Sequence, residues 1–170
     1  MEPDFDPRPI LETLVRHGVD FVLIGGLAGV ALGSAYQTSD IDIAYSRSRG
    51  NLERLVSALI ELGATLRGAP KNLPFQLDAR TIAVGASFTF DTRYGPLDII
   101  ADPAGAPPYE KLRGEAVELD VRGFVVAVAS IDHLIAMKEA AGRNRDKLMA
   151  TEDRVLADEI RRREAAARAR

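Results

Sequence analysis

The chain has 170 residues, 46% of them hydrophobic and 28% charged, with a formal net charge of −3; this length and balance suit one compact globular unit. The absence of cysteine excludes disulfides and thiolate metal centres, two histidines are too few for a histidine-rich one, and the slightly acidic balance excludes a general nucleic-acid coat, leaving only local contacts to RNA or DNA. No apolar run reaches the roughly 18 residues of a membrane span, and MEPDFDPRPI lacks the basic-then-apolar order of a secretory leader, so a cytoplasmic address without a membrane partner is expected.

In chain order, Asp6-Pro7 predicts a helix start, and ILETLVRHG ends on a glycine suited to a helix stop. FVLIG, Phe21 to Gly25, predicts a buried strand, and LAGVALGSA a small-residue helix packed close to a sheet. SDIDIAYS alternates polar and apolar residues, the strand period. Leu52, Leu55, Val56, Leu59 and Leu62 share one face of a helix, with Glu53, Ser57 and Glu61 opposite. The two prolines of RGAPKNLPFQLDAR predict a loop; TIAVGASFTF and GPLDIIA predict strands around the turn DTRYG. AGAPPYEKLRG reads as a loop with one helical turn, and AVELDV with GFVVAVA as a hairpin around Arg122-Gly123. Ser130 caps a helix over IDHLIAMKEAA, and Thr151 is the expected cap of a last helix. Its basic end, IRRREAAARAR, suits a solvated C-terminus where cations meet the helix dipole. The order predicts an α/β (α+β) domain with a mixed sheet flanked by helices: residues 1–129 as the core, and 130–170 as a helical segment completing the same domain.

Two carboxylates stand out. Residues i and i+2 of a strand share a face, so Asp40 and Asp42 sit side by side, about 6–7 Å apart at the backbone, with Ile41 and Ile43 behind them. Two close anions repel, and burial raises the pKa of at least one unless a cation intervenes. PLDII supplies a third acid, Asp98, again inside an apolar strand. If the strands are neighbours, three hard oxygen donors converge, a set suited to Mg²⁺ or Mn²⁺ rather than zinc; solvent-facing positions on a one-sided sheet are the plain alternative. In LIGGLAG, Gly25 and Gly26 follow a strand and open a helix, where backbone N–H groups and the dipole favour a phosphate. A tight strand–helix turn explains the same glycines without a ligand. A dinucleotide fingerprint would need glycine at Ile24, and no Walker-type G-x-x-x-x-G-K-[ST] is present. On the helix from Ile131, the stripe Ile131, Leu134, Ile135 continues to Lys138, a cation that snorkels out or meets an anion such as a triphosphate.

Gly25-Gly26, thirteen residues, then Asp40-Ile41-Asp42, then Asp98 on a later strand: this pattern resembles the nucleotidyltransferase superfamily that includes DNA polymerase beta, whose signature is h-G-[GS], a spacer and D-h-[DE]-h. VASIDHLIAMKEAAGRNRD is similar to the helical segment of the small bacterial abortive-infection, AbiEii-like, toxins, and the match runs from about Phe21 to Asp146. The resemblance implies a nucleotidyltransferase fold and a two-metal enzyme. Asp40 and Asp42 would bind Mg²⁺ or Mn²⁺, and Asp98 would complete the metal site and help activate the acceptor hydroxyl. Gly25 and Gly26 would hold the phosphates of a nucleoside triphosphate such as ATP, with Lys138 neutralising them and Arg145 and Asp146 nearby. Ser34, Thr38 and Ser39 would add phosphate contacts. A tRNA 3′ end or a protein is the implied acceptor, with a cognate antitoxin as partner. The sequence departs from the family in RDKLMATED, which leaves Asp146 and Asp153 as alternatives for one role. Its length also leaves little room for a separate substrate-binding helical domain. A non-catalytic, antitoxin-like binder and a metal-dependent phosphohydrolase are the competing classes; an intact acidic triad weighs against the first, and the double glycine against the second.

Overall fold

The computed structural model describes residues 5–70 and 72–169. Its first half contains α1 (Arg8–Arg16), β1 (Phe21–Ile24), α2 (Gly25–Leu32), β2 (Ile41–Tyr45), α3 (Arg49–Glu61), β3 (Thr65–Leu66) and α4 (Ala79–Val84). The second half adds β4 (Ser87–Thr92), β5 (Gly95–Ile100), α5 (Tyr109–Gly114), β6 (Val117–Asp120), β7 (Val125–Val128), α6 (Ile131–Ala141) and α7 (Asn144–Arg168). The strands form one mixed sheet in the order β3-β4-β5-β2-β1-β7-β6, with β2–β5 and β1–β7 parallel and the remaining neighbours antiparallel.

The branched, apolar runs FVLI and IDIAY occupy the middle of this sheet, where both faces are covered. Side chains alternate between faces, so Ile41, Ile43 and Tyr45 of β2 share one face with Leu97 and Ile99 of β5, and all five are fully buried. They join a single core with Ile10, Leu11 and Leu14 of α1 and Leu52, Leu55, Leu59 and Leu62 of α3. Asp42 and Asp98 therefore point to the other face, which α2 and α6 flank at one end. Towards β3 no helix covers that second face among the described residues: Ser87, Thr89 and Asp91 of β4 are exposed, a polar shelf beside Asp98 crossed by the Arg67 side chain.

Three sequence expectations need correction. Thr81–Val84 is helical rather than extended, because the Asp78 side chain accepts the Thr81 N–H (2.7 Å) and nucleates α4; only Ser87 onward is strand. The last helix begins at Asn144, and Thr151 lies inside it, its hydroxyl donating to the Lys147 carbonyl (2.9 Å) instead of capping. Asp40 precedes β2 rather than lying within it. The short strand β3, which leads into Arg67, carries no pattern long enough to be read in advance.

Buried Asn51 pins α3 to the central strands. Its carboxamide accepts the Asp20 N–H (2.7 Å) and donates to the carbonyls of Asp20 (2.9 Å) and Ser46 (2.8 Å), just before β1 and just after β2. Asn51→Ala leaves the Asp20 N–H without a partner, so a loss on the order of 2–3 kcal/mol is expected in urea unfolding. A loss below about 0.5 kcal/mol would show that water replaces the carboxamide.

Candidate active site

The register brings the acids together. Asp42 pairs with Asp98 across the parallel β2–β5 ladder, and with Ile24 across β1–β2. Asp40 reaches the same place from the residue before β2, held by Thr38, whose hydroxyl donates to Asp40 Oδ1 (2.6 Å). Each of the three carboxylates offers an oxygen within 4.8 Å of the others. Burial, joined by repulsion from Asp40 and Asp98, raises the Asp42 pKa to about 7. Burial also raises that of Asp98, opposed by the neighbouring Arg67.

The glycines are there for space. Gly25 opens α2 with φ +69°, and a Cβ on it would overlap the Asp42 carboxylate. A Cβ on Gly26 would crowd the Thr38 hydroxyl at 2.9 Å. The first turn of α2 is thereby pressed against Asp42 and Thr38, its free N–H groups beside the acids. A polar cleft lies over this turn, lined by Gly25, Gly26, Thr38, Asp40, Asp42 and the start of α7. From α7 and the residue before it, Arg143, Arg145 and Asp146 face the cleft; Arg143 Nε pairs with Asp146 Oδ2 (2.7 Å), and Arg145 lies near the Gln37 carbonyl (3.4 Å). A more apolar slot continues past Ile24, Ile100, Leu134 and Met137.

Lys138 is buried, as its place on the apolar stripe of α6 requires, and it lines both spaces. Its charge is already met: Nζ pairs with the fully buried carboxylate of Asp153, donates to the Tyr36 hydroxyl and lies 4.5 Å from the centre of the Tyr36 ring. Ser34 donates to Asp153 Oδ1 (2.7 Å), as does Tyr36 (3.3 Å). Ser34 is therefore engaged in this buried network and does not line the cleft, and Ser39 is exposed outside it. Between Asp146 and Asp153, the first faces the cleft and the second is the counter-ion of Lys138.

Three contributors escaped the sequence reading: Tyr36, the pairing of Lys138 with Asp153, and Arg67. The guanidinium of Arg67 comes from the segment expected to be loop and lies 2.9 Å from Asp98 Oδ1. The contact is within ion-pair distance, and this buried oxygen has no other protein partner among the described residues. The donor set suits a hard divalent cation: three carboxylates, one with a buried oxygen met only by a guanidinium, next to a glycine whose missing Cβ keeps the space open.

Neither protein-family models nor curated proteins match this chain. Solved structures do match it in shape, and they define the class of fold as that of the nucleotidyltransferases. The lincosamide antibiotic adenylyltransferase LnuA, in its lincomycin-bound crystal structure, superposes with a TM-score of 0.60 at 15% identity, over 91% of this chain and 98% of that one. A candidate nucleotidyltransferase of Thermotoga maritima, TM1012, gives 0.54 at 15% identity over 94% and 90%. The antibiotic-resistance factor ANT(2″)-Ia gives 0.51 at 18% identity over 95% and 92%.

Two outcomes follow from the charges. An acid whose folded-state pKa is raised stabilises the fold fully only below its unfolded value near 4, and that contribution is lost as pH rises towards 7. Asp42→Asn removes the ionisation, so thermal melts in EDTA at pH 7.5 should place the variant several degrees above wild type, with a flatter profile between pH 4.5 and 7.5; a lower melting point would contradict the assignment. Asp153→Ala strands the Lys138 charge in the interior, and denaturant unfolding should show a loss of about 3–5 kcal/mol, partly recovered by Lys138→Met in the same chain.

Proposed function

We propose that this protein is a Mg²⁺-dependent nucleotidyltransferase that moves the nucleoside monophosphate of an NTP, ATP included, to a hydroxyl acceptor and releases pyrophosphate. The observation that carries the reading is the convergence of Asp40, Asp42 and Asp98 within 4.8 Å, directly beside the glycine-led N-terminus of α2. The N–H groups of that turn, from Gly25 and Gly26, bind triphosphate oxygens. Arg143 and Arg145 add charge from α7 and its approach, with Asp146 orienting Arg143 and Thr38 orienting Asp40. Lys138, neutralised by Asp153, forms a fixed wall of the cleft rather than a mobile arm. In this arrangement residues 130–170 complete the same unit as 1–129, since Lys138 and Asp153 meet Ser34 and Tyr36.

In the transfer, the acceptor oxygen bonds to the α-phosphorus and the bond from that phosphorus to the bridging oxygen of pyrophosphate breaks. Asp98 takes the acceptor proton. Two Mg²⁺ or Mn²⁺ ions held by Asp40, Asp42 and Asp98 would supply positive charge for the attacking and leaving oxygens.

Two acceptor classes have support. Among the described residues, the exposed shelf of Ser87, Thr89 and Asp91 holds a single cation, Arg67, already paired with Asp91 and Asp98, rather than a basic patch, which favours a small-molecule hydroxyl over a polyanion; lincomycin is the molecule bound in the LnuA structure. The AbiEii-like segment around Lys138 favours a tRNA 3′ end or a protein, with the chain as the toxin of a toxin–antitoxin or phage-defence pair.

Incubation with each α-labelled NTP, Mg²⁺ and either bulk tRNA, cell protein or a panel of hydroxylated small molecules distinguishes these acceptors by where the label goes. Asp40→Ala combined with Asp42→Ala is expected to lower transfer by at least a thousandfold. Undiminished labelling in that double variant would eliminate the mechanism.

A further inference from the structure

The third carboxylate has a partner that the transfer reaction does not call for. Leu66 pairs with Phe90 on β4, so the next position, Arg67, stands beside Thr89, and the Arg67 N–H donates to the Thr89 carbonyl (2.9 Å). Thr89 pairs with Asp98, and Asp98 with Asp42. Arg67, Thr89, Asp98 and Asp42 thus form one transverse row across four strands, all on the same face. Asp98 lies two strand spacings from Arg67, about 9.6 Å, which an extended arginine spans; Asp42 lies one spacing beyond its reach. The guanidinium is anchored on the way: Nε pairs with Asp91 Oδ1 (3.0 Å) and Nη2 donates to the Phe90 carbonyl (2.7 Å). The same Nη2 lies 2.9 Å from Asp98 Oδ1, shared between the carbonyl and the carboxylate. With two of its three contacts on β4, this cation stays in place whether or not Asp98 turns to another partner.

We infer that Arg67 is a positioning residue that acts through Asp98: it is the resident counter-cation of the acidic cluster, and it keeps the free protein's affinity for divalent ions low. The inference rests on the proposed metal-dependent transfer. Its physical basis is charge: a guanidinium roughly 6 Å from a divalent ion opposes that ion by about tenfold in affinity at the dielectric of bulk water, the lower bound for this partly buried crevice. Uncompensated, the cluster would hold a divalent ion whether or not a nucleotide were present. With Arg67 in place, the added negative charge of a triphosphate is needed to draw the ion in.

The test is Mn²⁺ binding without nucleotide, followed by the loss of the free-ion signal in electron paramagnetic resonance, for wild type, Arg67→Gln and Arg67→Lys. Glutamine keeps an amide for Asp91 and the Phe90 carbonyl but removes the charge; lysine keeps the charge but not the fork. Arg67→Gln should bind Mn²⁺ about tenfold more tightly than wild type and Arg67→Lys within about threefold of it, with circular-dichroism melts confirming that each folds. Equal affinity in wild type and Arg67→Gln, or similar gains in both variants, would overturn the inference while leaving metal-dependent transfer intact. Absence of Mn²⁺ binding in Arg67→Gln as well as wild type would also overturn the inference, and absence of binding in all three with a nucleoside triphosphate added would overturn the metal-dependent reading with it.

Discussion

Asp42 and Asp98 face one another because Ile41, Ile43, Leu97 and Ile99 are committed to the opposite face of the same two strands. A slip of one residue would turn all four outward and bury the acids in their place. Burying four such side chains contributes on the order of 6–12 kcal/mol, an upper estimate because the unfolded chain is not fully extended. Two full charges 4.8 Å apart cost about 3–4 kcal/mol per pair at an effective dielectric near 20. Three such pairs rival the burial that holds them, so the fold does not leave all three acids ionised and alone. The raised pKa of Asp42 and the guanidinium beside Asp98 are the two forms this relief takes.

The opposite wall of the crevice is organised by a second buried charge. Lys138 and Asp153 come from α6 and α7, and the side chains that complete their shell, Ser34 and Tyr36, come from the loop after α2. Gly29 makes this possible, because a Cβ there would overlap the Tyr36 hydroxyl. The loop that ends in Thr38 and Asp40 is thus tied to the last helix, and the placement of Asp40 depends on residues more than a hundred positions later in the chain.

Most of the fold was legible because its signals are local. Alternation marks β2, an apolar run beside a turn marks β5, a four-leucine stripe marks α3, and Ser130 caps α6 as its hydroxyl position predicts. The three carboxylates were legible because aspartate beside the apolar residues of a buried strand is costly unless something answers it. Misreadings fell where a local rule met a competing one. Thr81–Val84 has branched residues suited to a strand, but an N-cap aspartate turned it into helix. The partner of Lys138 depends on how α6 and α7 pack, which no spacing reveals. Arg67 follows a two-residue strand, and only the pairing of three neighbouring strands places it beside Asp98.

The sheet is covered unevenly around the acids. On the β1 side they meet α2, α6 and the start of α7, while on the β4 side the Arg67 side chain lies low along the sheet and Ser87, Thr89 and Asp91 are exposed. A molecule arriving over the helices enters a mould and is limited by its shape. One arriving across β4 meets a bench without walls among the described residues, so only its reactive end needs to fit. Such a bench sets no upper limit on the size of what approaches Asp98, and selectivity on that side falls to hydrogen bonds along one strand.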